Sequence, residues 1–67
     1  MELAHLRLAD RHIAEGEVRI SDQVARVEKL QARRYPVAQA EEMLELLRTT
    51  MVVWHQHRNL ILAALSE

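Results

Sequence analysis

The side chains most able to do chemistry in this 67-residue chain are its four histidines, His5, His12, His55 and His57. His55 and His57 stand two apart, which on a helix points them to different sides, so His-x-His is a poor chelate here. Folding the chain about its middle brings His12 near His57, with Asp10, Glu15 and Arg58 close by, and so offers two imidazoles and a carboxylate to a metal. Two features oppose that reading. Arg58 repels a cation, and di-iron helical bundles rely on two Glu-x-x-His pairs, whereas this sequence has one, Glu2 with His5, which includes neither His12 nor His57. Solvated or hydrogen-bonded histidines at the margin of a helix seam are the plainer interpretation, with neither metal nor cofactor expected.

Catalysis has less support. There is no cysteine nucleophile, no glycine-rich phosphate loop and no strand-turn-helix context. Ser21 and Ser66 have no base arranged beside them. Asp10 and Glu17 lie seven residues apart, two helical turns, so they suit a salt-bridged surface better than a carboxylate pair. The chain does not read as an enzyme. Basic residues raise a different possibility, because Arg7, Arg11, Arg19, Arg26, Lys29, Arg33 and Arg34 form a stripe that suits phosphate contacts. Glu15, Glu17, Asp22 and Glu28 interrupt it, and there is neither a recognition helix nor an aromatic stacking platform. A nucleic-acid-associated regulator using Arg7, Arg11, Arg19, Arg26 and Arg33 is therefore the alternative, against a solvated, ion-paired helix.

The elements that would position these residues are clearer. From Ala40 onward, Met43, Leu44, Leu47, Met51, Trp54, Ile61 and Leu65 recur at spacings of three and four, which predicts one apolar stripe on a helix. Leu46, Val53 and Leu60 make a second column at intervals of seven, so the apolar surface is wider than one neighbouring helix can cover. Glu41, Glu42, Glu45, Arg48, Gln56 and Asn59 fall on the other side, and Glu45 with Arg48 is an i,i+3 ion pair.

In the first half, Leu6, Ile13, Ile20 and Val27 recur every seven residues, with Ala9, Gly16, Gln23 and Leu30 three positions after each. These are the two columns of a coiled-coil seam. Glu15 with Arg19 and Asp22 with Arg26 are expected i,i+4 pairs. The chain's single proline is the only clear break: Pro36 holds Tyr35 extended and suits the first turn of a following helix. The expectation is helix 1 over 3–33, a turn at 34–36 and helix 2 over 37–65, each about 45 Å long. So short a connection makes the helices antiparallel neighbours. Folding about Tyr35 then pairs Leu6 with Ala64, Ala9 with Ile61, Ile13 with His57, Gly16 with Trp54, Ile20 with Thr50, Gln23 with Leu47, Val27 with Met43 and Leu30 with Ala40. Gly16 would make room for the indole of Trp54, and Asp10 would meet Arg58 on one flank. On the other flank, the basic column of His5, His12, Arg19, Arg26 and Arg33 lies beside Leu46, Val53 and Leu60.

A chain of this size rarely buries enough core to be stable alone without a disulfide, a metal or oligomerisation. With no cysteine available, two hairpins joining into a four-helix bundle as a homodimer is the economical solution. The expected oligomer interface is Leu46, Leu47, Met51, Val53, Trp54 and Leu60. A net charge of −1 argues against a strongly basic nucleic-acid binder. The absence of a signal-peptide succession or a membrane-length apolar run leads to the expectation of a cytoplasmic protein with no membrane contact.

The segments HIAEGEVRISDQVARVEKLQ, AEEMLELL and HQHRNLI, separated by the turn, resemble short uncharacterised bacterial helical-hairpin proteins seen often in soil- and plant-associated species. Their shared pattern is H-I-A-E-G-E, a mid-chain turn and a late H-R before an apolar run. The turn departs from the glycine-containing version of that group, since Arg34-Tyr35-Pro36 stands there. The resemblance implies a helical hairpin and assigns no catalytic residue. The resulting expectation is an all-α hairpin that self-associates and serves as a structural or protein-interaction module, its first partner itself and its second another protein.

Overall fold

Two heptad columns on each half of the chain decide how it folds. In the computed structural model, which describes residues 2–66, α1 spans Glu2–Ala32 and α2 spans Ala38–Leu65, packed side by side as a hairpin. Every residue of the two predicted columns on α1, from Leu6 to Leu30, is buried or half-buried. On α2 the matching columns are Leu44, Met51 and Arg58, and Ala40, Leu47, Trp54 and Ile61, all buried or half-buried. Met43 and Leu65, expected in this stripe, are instead 47% and 44% exposed. They lie one position outside the seam or beyond the last complete layer.

The expected register is off by nearly one helical turn. The space a side chain at Gly16 would occupy is taken by the Met51 thioether, three residues before the predicted Trp54. Thr50, His57 and Ala64, which the predicted layers placed inside, are exposed. The physical reason lies in the connection. It runs from Arg33 to Val37 rather than over three residues, and the longer link lets α2 begin back alongside the last turns of α1, which brings earlier residues of α2 level with Gly16. The general principle behind the glycine still holds: a missing Cβ admits a large neighbour across the seam. The neighbour is Met51.

The turn itself is a Schellman motif. Tyr35 N–H donates to the Leu30 carbonyl at 2.9 Å and Arg34 N–H to the Gln31 carbonyl at 3.0 Å, with Arg34 in the left-handed region at φ 58°. Arg34 thus occupies the position that glycine most often fills. Pro36, expected in the first turn of α2, precedes the N-cap residue Val37, whose carbonyl accepts the first helical hydrogen bond from Glu41. No side chain caps that end of the helix.

The core is one layer thick: Ala9, Ile13, Val27, Leu44, Met51 and Ile61 are the buried apolar residues. Gln23 sits in the same seam without an unsatisfied amide, because its Nε2 donates to the Ala40 carbonyl at 2.9 Å. The described chain measures 53 × 14 × 12 Å with a Cα radius of gyration of 15.5 Å. A compact domain of this length has a radius near 11 Å, so the hairpin exposes far more surface than a globule of equal mass. Among the described residues, no helix is long and apolar enough to cross a membrane.

Candidate interaction surface

His12 and His57 do come to one place, but around Trp54. The His12 ring stacks on the indole at 4.3 Å between centroids and 20° between planes, and His57 meets the same indole edge-on at 5.8 Å. His12 Nδ1 lies 4.0 Å from the Glu15 carboxylate, with both side chains well exposed. No group of three His, Cys, Asp or Glu side chains converges among the described residues. The imidazoles are held by aromatic packing, because the observed register brings Trp54 beside His12 rather than over Gly16.

On the opposite flank of the seam the Arg58 guanidinium donates to the Asp10 carboxylate, as the sequence predicted. This ion pair links the open end of the hairpin across the two helices. Both partners are at least a third exposed, so its contribution stays below about 1 kcal/mol. Arg48 and Glu45 form the expected i,i+3 pair at 3.3 Å. The expected pairs Glu15–Arg19 and Asp22–Arg26 are not formed among the described residues, where the ion pairs are His12–Glu15, Glu45–Arg48 and Asp10–Arg58. Each missing pair joins exposed side chains, whose rotamer entropy and hydration compete with a weak attraction.

A groove of about 630 Å³ follows the flank of His12 towards the turn, with Arg19, Asp22 and Arg26 on one wall and Met43 on the other, above Leu30 and Leu47. Its residues place the basic column of α1 and the Met43 side of α2 on one face of the hairpin. The groove was not expected, since Met43 had been assigned to the seam. The arginines proposed for nucleic acid divide between two faces. Arg19 and Arg26 line this groove beside Asp22, whereas Arg7 and Arg11 border a separate shallow cleft with Ala4 and Leu8. Arg33 lies in the turn.

Of the six residues expected at an oligomer interface, three are free to meet another molecule. Leu46, Val53 and Leu60 are 60%, 58% and 70% exposed and stand in line at heptad spacing, next to the column that carries Met43 and His57. Met51 is buried against Gly16, and Leu47 and Trp54 are half-buried in the same seam. Those three build the hairpin's own interior and serve the outer column by supporting it from beneath. Leu8 adds an exposed apolar side chain on α1, one heptad position from the column of His5 and His12. No family model, curated protein or solved structure matches the chain.

Proposed function

We propose that the protein is a self-associating structural module whose hairpins pair through the outer column of α2 into a four-helix bundle, presenting the remaining charged faces to other macromolecules. The observation that carries this reading is the surface left uncovered. The hairpin exposes 5437 Å², whereas a compact monomer of its 7.8 kDa mass exposes about 4,400 Å². The surplus of about 1,000 Å² compares with the roughly 800 Å² that each partner contributes to a standard protein interface. Part of the surplus is the column Leu46, Val53 and Leu60, large apolar side chains on the flank that bears the groove.

Apolar area of this kind drives association at about 25 cal/mol per Å² removed from water, before the cost of joining two bodies. A carboxylate placed in the middle of the column opposes burial directly. Val53→Glu is expected to shift native mass measurements from dimer to monomer and to remove the dependence of the melting temperature on protein concentration. Val18→Glu, at a residue equally exposed on α1, is the control and leaves the dimer mass unchanged. A wild-type chain that remains at monomer mass with a concentration-independent melt defeats the proposal.

A further inference from the structure

Resting on that reading, we infer that the second copy docks about a two-fold axis perpendicular to the helices and passing beside Val53, so that α2 packs antiparallel on the partner's α2, with Leu46 against the partner's Leu60. The order of residues in the exposed column suggests this arrangement. Leu46 and Leu60 are equidistant from Val53 along α2, and the smallest of the three stands in the centre. Two identical helices crossing at an angle approach most closely at the axis and diverge towards both ends. A small residue at the crossing point with a larger one on either side fills such a gap, and the two-fold matches each leucine to its counterpart.

The charges on the neighbouring helix favour the same axis. Because Met51 lies over Gly16, Val53 stands level with the stretch around Ile13 and Ala14. A dyad at that level sets α1 against the partner's α1 with His12 facing the partner's Glu15, and His5 facing the partner's Asp22. Arg19 falls beside the partner's Leu8, where its aliphatic stem covers an exposed apolar side chain and its guanidinium stays in water. Arg19, Asp22 and Arg26 have no ion-pair partner within the chain among the described residues. A dyad running parallel to the helices has the opposite effect. It lays the basic flank of α1 over the partner's leucine column, setting Arg19 against apolar surface and leaving only Glu42, one turn before Leu46, to receive Arg26.

The absence of native cysteine makes the axis directly testable. Val53→Cys puts one thiol of each copy on the dyad, within reach of its own equivalent. Mild oxidation is expected to convert that variant to a disulfide-linked dimer about tenfold faster or more than Leu46→Cys or Leu60→Cys alone, because the dimer holds only the first pair at high effective concentration. An equimolar mixture of Leu46→Cys and Leu60→Cys is expected to give the mixed disulfide in preference to either symmetric one, which supplies a second measurement that leaves Val53 intact. Native mass under reducing conditions separates the two levels of the claim. Dimer mass with symmetric 46–46 or 60–60 links, or with no link in any variant, overturns the axis and leaves self-association standing. Monomer mass for the wild-type chain overturns both.

Discussion

His12 and Trp54 form the closest aromatic contact of the hairpin, and it brings together two side chains with complementary electronic properties. An imidazole stacked on indole at this distance gains from dispersion between the two ring faces. The chain has a single tryptophan, so its fluorescence reports on its contacts with His12 and His57. Loss of a stacked ring is expected to expose the indole to water and move its emission to longer wavelength. His12→Gln is expected to give the larger shift, with His57→Gln giving a smaller one because its ring meets the indole edge-on. Gly16 and Met51 offer a second test at the level of single residues. Adding a methyl group at Gly16 gains roughly 0.5–1 kcal/mol of helix preference but drives the new Cβ into the Met51 sulfur. The effect of Gly16→Ala on stability is therefore expected to become more favourable by about 1 kcal/mol in a Met51→Ala background. A Trp54→Ala background is expected to leave it unchanged, and chemical denaturation of the four proteins in each cycle measures both couplings.

At the scale of elements, the two helices and the seam columns of α1 were legible, since seven-residue recurrence on α1 depends only on which side chains avoid water. Leu6, Ile13, Ile20 and Val27, with their partners three positions on, needed no knowledge of the turn. The register did need it. Tyr35 and Pro36 mark a break in the sequence, but they do not announce that Arg34 will adopt a left-handed backbone conformation and carry the chain through a Schellman motif. That displacement moved Met51 into the place expected for Trp54. It also turned Met43 out of the seam, and with it revealed the groove between Arg26 and Met43. The outer column Leu46, Val53 and Leu60 survived the error, because its exposure depends on angle around α2 and not on position along it. The left-handed residue carries its own prediction. Arg34→Gly removes the Cβ that opposes this conformation and is expected to raise stability by about 1 kcal/mol. In a domain this small that is a rise in melting temperature of about 4–8 °C, measurable by circular dichroism at fixed protein concentration.

For the whole molecule, the proposed pairing of hairpins through α2 rests on a core that is only one layer deep. Six buried apolar residues, none of them a large side chain wholly removed from solvent, leave little cooperative interior to a lone hairpin. The dimension of 53 Å against 14 and 12 Å carries a hydrodynamic consequence. A rod of that axial ratio diffuses more slowly than a sphere of equal mass and leaves a gel-filtration column early, at a position that mimics a heavier particle. Side-by-side pairing thickens the rod without greatly lengthening it, so the frictional ratio declines as the mass doubles. Elution volume alone compresses the difference between one copy and two, whereas sedimentation velocity, which resolves mass and shape together, separates them.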